Sequence, residues 1–287
     1  MGVIMRFDLV ALALIGLAMG IGWRSRDREL VLRSLTVMGL LGALSLALSL
    51  GRLAFGLLGS VLAVSAAYEL ARGFGVRWPI MTLFALLGVV AAQVRALPLF
   101  LLLALFGLGL LAGTAGIRRG RTRPWFPLWV SFAVLGLGFG FFIRLGTLGA
   151  GAVVSLAMTL QVNDSSGYFA GKLWGRHHPF PRLSPHKTLE GYAGSLAGIL
   201  LTVLLLHVWV GALTGTGWRL GVIVAFMLLS ANLGDLFFSW LKRIFGVKDF
   251  GAALPGHGGV LDRFDNYVFT APWFFLLCVT LPVGVGR

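Results

Sequence analysis

The sequence is poor in charge and has almost no cysteine. Only 12% of its 287 residues are charged and 58% are hydrophobic, whereas about one quarter of an ordinary soluble domain is charged. The single cysteine, Cys278, excludes a disulfide within the chain. Because so few polar side chains are available to cover a soluble core, the composition is typical of a membrane protein.

Long apolar stretches recur along the chain without the regular polar positions of an amphipathic helix. They run for roughly 17–22 residues, close to the length that a helix needs to cross a bilayer. The sequence therefore predicts an all-α polytopic membrane protein with about nine to ten transmembrane helices. The candidate spans are residues 7–23, 35–51, 53–70, 79–94, 97–117, 127–146, 149–165, 191–213, 217–238 and 266–283.

Basic residues are in excess and give a formal net charge of +14. They are spread over the loops and do not form one stripe with interleaved aromatic residues, which argues against nucleic acid as a partner. If the N-terminus lies outside, 18 of the 24 lysine and arginine residues fall in loops on one side, which the positive-inside rule makes cytoplasmic. We expect an integral protein of the plasma membrane, the inner membrane in a bacterium, with the lipid bilayer as a partner.

The acidic residues divide the chain into two regions. Six of the ten lie beyond Gln161, in two long polar loops, 171–190 and 240–265, and in the span ends beside them. We therefore predict an N-terminal transmembrane scaffold over 1–150 and a C-terminal catalytic region over 151–287, with a polar active site that faces the cytoplasm. In the scaffold, small residues permit close helix packing, within one chain or between two; they are Gly136, Gly138 and Gly140.

Asp235 is the first candidate site residue. It lies near the cytoplasmic end of an apolar stretch, where a carboxylate costs roughly 2.5–3.5 kcal/mol on insertion scales. On a helix, Asp235, Ser239 and Lys242 share one face. An ion pair of Asp235 with Lys242 that only makes the buried charge tolerable explains these residues equally well.

The segment that follows adds carboxylates, cations and a glycine-rich turn. The glycines, Gly258 and Gly259 among them, allow backbone N–H groups to approach a phosphate closely. Asp262 and Asp265 are three residues apart, so both share one face if the last helix begins at about Leu261. Oxygen ligands of this kind suit Mg²⁺, which commonly uses one or two carboxylates together with substrate phosphates.

Two blocks of sequence resemble the phosphatidate cytidylyltransferase (CDP-diacylglycerol synthase) family. The family's signature positions appear here as Ser239, Lys242, Arg243, Lys248, Asp249, Pro255, Gly256, His257, Gly258, Gly259, Asp262, Arg263 and Asp265. A second block matches at Asp164, Tyr168, Gly171, Lys172, Gly175, Ser184, Pro185, Lys187, Thr188, Glu190 and Gly191. The resemblance covers roughly the C-terminal 125 residues.

The resemblance implies an enzyme of phospholipid biosynthesis that converts CTP and phosphatidic acid into CDP-diacylglycerol and pyrophosphate. It implies Mg²⁺ held by Asp235, Asp262 and Asp265, is compatible with a second, monovalent cation, and suggests a homodimer. Catalytic roles are expected for those three carboxylates and for Lys242, Arg243 and His257. Substrate binding is expected for Asp164, Lys172, Ser184, Lys187, Ser239, Lys248, Asp249, Gly258, Gly259 and Arg263.

Two other functions remain open at this point. A paralogue could activate a different lipid phosphate with CTP. A membrane transporter could also carry intramembrane charges, although its polar residues would lie near the midplane and not at one interface. His257 also has a structural alternative, because a histidine in a glycine-rich turn can simply pack there.

Overall fold

The computed structural model describes residues 2, 4–5, 8–9, 28–94, 99–116, 125–179, 184, 187–210, 213–251, 253, 258–281 and 284–285. Helices dominate this part of the chain, which confirms the all-α membrane class. The α-helices are α1 (Arg28–Leu50), α2 (Arg52–Phe74), α3 (Trp78–Gln93), α4 (Leu99–Gly116), α5 (Trp125–Trp129), α6 (Leu137–Leu148), α7 (Ala150–Trp174), α8 (Leu189–Leu205), α9 (Gly217–Ile244) and α10 (Leu261–Thr280). Two π-helical turns continue α5 and α8, over Val130–Gly136 and Leu206–Val210.

Every candidate span after the first overlaps described helical residues. The first, 7–23, lies outside the described residues apart from positions 8 and 9. Several helices run further than their candidate spans. Because α7 ends at Trp174, α9 ends at Ile244 and α10 begins at Leu261, the polar loops are shorter than 171–190 and 240–265. Hydropathy identifies only the apolar part of a helix. The helix ends carry polar residues, but their backbone N–H and C=O groups still form helical hydrogen bonds.

Within the part of the chain that the structure describes, four helices are long and apolar enough to cross a membrane. They are Arg52–Phe74, Trp125–Leu148, Leu189–Val208 and Gly217–Ile244, and two shorter apolar helices are Met38–Leu50 and Trp78–Gln93. Large apolar side chains on their outer faces are exposed, for example Leu53 and Leu201. Such faces suit a lipid bilayer, because apolar side chains in contact with acyl chains are not exposed to water. The number of nine to ten spans stays a prediction.

The continuous helix Trp125–Leu148 forms the centre of the bundle. Within its apolar window 83% of the residues are buried, against 44%, 33% and 33% in the other three candidate spans. Its α6 part packs against α2, α3, α7 and α10. Buried phenylalanines supply much of the contact, including Phe142, whose ring lies 5.3 Å from that of Phe55 on α2. The N-terminal and C-terminal halves of the chain therefore share one core.

Small residues bring the central helix close to its neighbours. A Cβ added to Gly136 would lie 2.8 Å from the Cα atom of Gly88 on α3, so neither position has room for a side chain. Gly138 contacts Val268 of α10 in the same way, and Gly140 contacts Ala92 of α3. The predicted close packing of these glycines is thus made within one chain.

A short antiparallel ladder accompanies the helices among the described residues. The two-residue strands β1 (Leu213–Thr214) and β2 (Gly284–Val285) pair antiparallel, with Leu213 opposite Val285. The ladder ties the connection before α9 to the segment after α10. These two helices carry all three predicted metal ligands, Asp235, Asp262 and Asp265.

Candidate active site

Asp262 lies in the first turn of α10, which begins at Leu261 as predicted. Its Oδ2 atom accepts hydrogen bonds from the backbone N–H groups of Phe250 and Gly259, at 2.8 and 2.9 Å. Its Oδ1 atom accepts a hydrogen bond from Lys242 Nζ at 3.1 Å. Three donors therefore compensate the burial of a side chain that is only 2% exposed.

Lys242, near the C-terminal end of α9, lies between the two carboxylates of α10. Its Nζ atom is 3.1 Å from Asp262 Oδ1 and 3.9 Å from Asp265 Oδ2. The same ammonium group lies 5.5 Å from the centroid of the Phe250 ring, within range of a cation–π interaction. Asp262 and Asp265 thus share a face, as their spacing predicts, and one lysine contacts both.

Asp235 pairs with a different lysine. Its Oδ2 atom contacts Nζ of Lys187, which precedes Thr188, the N-cap of α8. The alternative pairing of Asp235 with Lys242 is not the one formed, because Lys242 is directed towards α10. Helical spacing puts two side chains on one face but does not fix their partners. The Asp235 side chain is 35% exposed, so its carboxylate stays accessible.

Asp164, on α7, is joined to this group through side-chain amides. Its Oδ1 atom accepts hydrogen bonds from Asn163 Nδ2 at 3.0 Å and from Asn266 Nδ2 at 3.4 Å. Asn163 Oδ1 in turn accepts one from Asn232 Nδ2 at 3.4 Å. The side-chain amides come from three helices: Asn163 from α7, Asn232 from α9 and Asn266 from α10. Their hydrogen bonds connect the polar residues of these helices.

A first cavity, of about 230 Å³, lies between α7, α8 and α9. We call it the tyrosine cavity because Tyr168 and Tyr192 line it together with Lys187, Asp164 and Asp235. Lys187 Nζ lies 5.8 Å from the Tyr192 ring centroid. The Tyr192 hydroxyl oxygen is buried and has no hydrogen-bond partner within the described part of the chain. The cavity offers aromatic faces, an ammonium group and an unused hydroxyl group.

A second cavity, of about 260 Å³, has one apolar wall and one charged wall. The apolar wall includes leucines of α1, α2 and α7, so we call it the leucine cavity; they are Leu40, Leu41, Leu44, Leu58, Leu62 and Leu160. The charged wall is formed by Asp164, Asp235, Lys242, Asp262, Arg263 and Asp265. The two cavities share Asp164 and Asp235. An amphiphilic molecule and a polar one could therefore meet at the same carboxylates.

Several other predicted residues are close to this charged wall. Arg263 is exposed and lines the leucine cavity. Gly258 has a φ of +80°, a conformation that favours glycine, and Gly259 donates its N–H group to the first carboxylate of α10. Ser239 is half-buried on α9. Ser184 accepts a backbone hydrogen bond from Lys187 at 3.2 Å and so helps to shape the segment before α8.

The remaining predicted residues lie at the surface or outside the described residues. Lys172, Arg243, Lys248 and Asp249 are exposed and are not among the residues that line either cavity. Lys172 Nζ lies 5.7 Å from the Tyr168 ring centroid, beside the tyrosine cavity. His257 lies outside the described residues, so its role stays a prediction.

Glu190 organises the connection that carries Lys187. Its Oε2 atom accepts backbone hydrogen bonds from Arg176 and His177, at 3.0 and 3.3 Å, and its Oε1 atom lies 2.7 Å from His177 Nδ1. The carbonyl group of His177 accepts a bond from the N–H group of Leu189 at 2.9 Å. The start of α8 is thereby tied to the end of α7, which fixes the segment from which Lys187 reaches Asp235.

Sequence reasoning missed the asparagines and one further carboxylate. Glu69, on α2, is only 5% exposed and accepts hydrogen bonds from the backbone at the start of α10. The available signal was a glutamate within an otherwise apolar candidate span. The asparagines gave no such signal, because an uncharged amide is far cheaper to bury than a carboxylate and does not stand out in an apolar stretch.

The described residues contain no group of three or more His, Cys, Asp and Glu side chains placed to hold a metal ion by themselves. The ion pairs with Lys187 and Lys242 explain part of this, because each lysine occupies a position beside a carboxylate. A divalent ion here would therefore need ligands from a substrate as well, which is common for Mg²⁺.

The Cytidylyltransferase family model matches residues 31–281. Among curated proteins, the chain is 36% identical over 152 residues to a phosphatidate cytidylyltransferase of Staphylococcus saprophyticus, covering 53% of this chain and 58% of that protein. It is 38% identical over 150 residues to the protein of the same name from Staphylococcus aureus strain COL, covering 52% and 57%. These alignments span somewhat more than half of each relative. The family match, which spans most of the chain, shows that it belongs to the cytidylyltransferase family.

Proposed function

We propose that the protein transfers a cytidylyl group from CTP to phosphatidic acid and so forms CDP-diacylglycerol for phospholipid biosynthesis. The observation that carries this proposal is the junction of the two cavities. An apolar-and-charged cavity and an aromatic, polar cavity share Asp164 and Asp235. Family membership and the names of the relatives support the same reaction.

The leucine cavity is the proposed site of the lipid. Its leucines match acyl chains, and Lys242 and Arg263 on the opposite wall match a phosphate group. A lipid phosphate has to react without leaving the bilayer, since each buried methylene of its chains adds about 0.8 kcal/mol to the cost of extraction. A cavity with these two walls meets that requirement.

The tyrosine cavity is the proposed site of the nucleotide. Tyr168 and Tyr192 offer faces for a planar base, and Lys187 offers a positive charge for the triphosphate. Asn163, Asn232 and Ser195, which also line this cavity, supply hydrogen-bonding groups. The shared carboxylates then lie where the two phosphate-bearing ends would approach each other.

The reaction needs charge compensation more than proton transfer. An anionic oxygen of the lipid phosphate attacks the α-phosphorus of CTP and forms a new P–O bond. The bond from that phosphorus to the α–β bridging oxygen breaks, and its electron pair leaves with pyrophosphate. Because the nucleophile is already an anion, a general base is dispensable. Lys187, Lys242 and Arg263 offset the repulsion between the two polyanions.

We propose Mg²⁺ as the metal of this site, held by Asp235, Asp262 and Asp265. The donor set fits a hard cation, because it consists of carboxylate oxygens. These carboxylates line the leucine cavity together with Lys242 and Arg263, the proposed phosphate-binding cations. Asp235 is the most open of the three, whereas both oxygens of Asp262 already accept hydrogen bonds. When bound, Mg²⁺ supplies positive charge to the phosphate groups. A second, monovalent cation is compatible with the number of carboxylates.

The proposed setting is the plasma membrane, with the site facing the cytoplasm. The excess of basic residues in one set of loops supports this orientation. We also propose the nine to ten spans and the homodimer as properties of the whole protein. Residues 1–150 would act mainly as scaffold, and residues 151–287 would carry the chemistry.

Labelled CTP tests the reaction directly. Purified protein in lipid vesicles receives phosphatidic acid, Mg²⁺ and CTP labelled at either the α- or the γ-phosphate. The proposal expects α-label in the lipid, γ-label in pyrophosphate, and no transfer when Mg²⁺ is chelated. Ser131→Ala removes a buried hydrogen bond to Met81 at a residue that lines neither cavity, and this control variant should keep the wild-type labelling pattern.

The other functions give different patterns. A CTP-dependent lipid kinase would put γ-label into the lipid. A transporter would accumulate label inside the vesicles without a covalent product. Transfer of α-label to polyprenyl phosphate but not to phosphatidic acid would replace the proposed acceptor with a different lipid phosphate.

A further inference from the structure

Glu69 is a buried carboxylate that the reaction does not use. It lies on α2, only 5% exposed, with apolar neighbours in sequence. It is not among the residues that line the tyrosine cavity or the leucine cavity. Burying a carboxylate costs free energy unless hydrogen-bond donors compensate it. The donors that bind Glu69 therefore indicate its structural role.

The partners of Glu69 are the first backbone amides of α10. Oε1 accepts a hydrogen bond from the N–H group of Val260, and Oε2 accepts one from Leu261, both at 2.8 Å. The N-cap of α10 is Val260, whose apolar side chain cannot accept a hydrogen bond. Glu69 therefore caps α10 from another helix, and its negative charge suits the positive end of the helix dipole.

Two glycines make room for this carboxylate. A Cβ added to Gly251 would lie 2.7 Å from Glu69 Oε1, and one added to Gly259 would meet Oε2. The glycines on both sides of the turn thus permit the backbone to close around Glu69. This gives the glycine-rich segment a second use besides the approach to a phosphate.

The amide next to this cap is bonded to Asp262. Gly259 donates to Asp262 Oδ2, while the next two amides in the chain, those of Val260 and Leu261, donate to Glu69. Consecutive N–H groups are therefore divided between a carboxylate of the proposed site and a carboxylate outside it. A shift of the turn would move Asp262, and Asp265 one turn later, away from Lys242.

We propose that Glu69 is a positioning residue that holds the start of α10 and thereby fixes the proposed metal ligands Asp262 and Asp265. This inference rests on the proposed function for its catalytic consequence. The geometric part, that Glu69 holds the turn at residues 258–262, stands on the hydrogen bonds alone.

Glu69→Gln is the first variant, because the amide keeps the size of the side chain and one oxygen acceptor. We expect the Mg²⁺ concentration for half-maximal rate to rise about 10-fold and kcat to fall about 10- to 100-fold, since a displacement of about 1 Å costs on the order of 100-fold. The KM for phosphatidic acid should stay within about twofold of the wild-type value. In hydrogen exchange, amides 258–262 should exchange faster without a general increase.

Gly251→Ala tests the same contact from the opposite side. Its new methyl group should displace the Glu69 carboxylate and raise the Mg²⁺ requirement in the same direction. In the double variant with Glu69→Ala, the space is already free, so Gly251→Ala should add little to the effect of Glu69→Ala. If the losses of the two single variants add in the double variant, the contact between Gly251 and Glu69 is not their cause.

Ser131→Ala is the matched control, because it also removes a buried hydrogen bond between elements, at 2.6 Å to Met81. The inference is overturned if Glu69→Gln behaves like this control, with an unchanged Mg²⁺ requirement and no local rise in exchange. If the wild type itself forms no CDP-lipid, the proposed function fails, while exchange at residues 258–262 still decides whether Glu69 holds the turn.

Discussion

The two lysine–carboxylate groups of the site differ in how open they are. At the start of α10, Asp262 is 2% exposed, with both oxygens bonded to backbone amides and to Lys242. Across the site, Asp235 is 35% exposed and pairs with Lys187 from a loop. The first group belongs to the architecture of the fold as much as to the site. The second has few other structural duties and is free to meet a ligand.

Asp235→Asn should have the largest effect on activity and almost none on stability. Loss of the negative charge removes a proposed metal ligand, and we expect kcat to fall about 10³-fold, the upper range for removing one electrostatic group. Because the side chain is partly exposed, the midpoint of thermal unfolding in detergent should stay within about 2 °C, a shift worth less than 1 kcal/mol. A large fall in the thermal midpoint would contradict this comparison, because Asp235 would then contribute to the stability of the fold as Asp262 does.

Lys242→Met should affect both activity and stability. It leaves two buried carboxylates without their cation, and breaking a buried pair costs about 3–5 kcal/mol. We expect a clear fall in the thermal midpoint together with a loss of activity of about 100-fold. Arg243→Met, at the next and exposed position, is the control for stability and should unfold at the wild-type temperature. Equal midpoints for both variants would contradict the structural role of Lys242.

Lys187→Met should have the smallest effect of the three. It removes one positive charge from the tyrosine cavity, so the KM for CTP should rise about 10-fold, equivalent to about 1.4 kcal/mol. Arg176→Met removes a cation from the same exposed connection and should leave this KM unchanged. A rise in the KM for phosphatidic acid instead of CTP would exchange the proposed occupants of the two cavities.

Much of the α10 group could be predicted from sequence because its geometry is local. The spacing of Asp262 and Asp265 places both on one face, and the helix begins at Leu261 as expected. Lys242 could be placed near the interface by its position at the end of an apolar stretch. Helical periodicity determines such relations whatever the rest of the chain does.

The relations between elements could not be predicted in this way. Lys187 rather than Lys242 pairs with Asp235, because Lys187 lies just before α8, which packs against α9, whereas Lys242 contacts the carboxylates of α10. The contact of Glu69 joins residues 191 positions apart, and no periodicity encodes it. The apolar wall of the leucine cavity likewise comes from helices that composition alone identifies only as spans. Tertiary packing decides all three.

The distance in sequence between Glu69 and Val260 has a consequence for biogenesis. The chain is made from its N-terminus, so Glu69 enters the membrane 191 residues before the amides that it binds. At a synthesis rate of about 5–20 residues per second, the carboxylate waits roughly 10–40 s for its partners. During that interval Glu69 lacks the two backbone donors of α10, the last described helix to be made. The newborn bundle can therefore reach its final hydrogen bonding only after the start of α10 has left the ribosome.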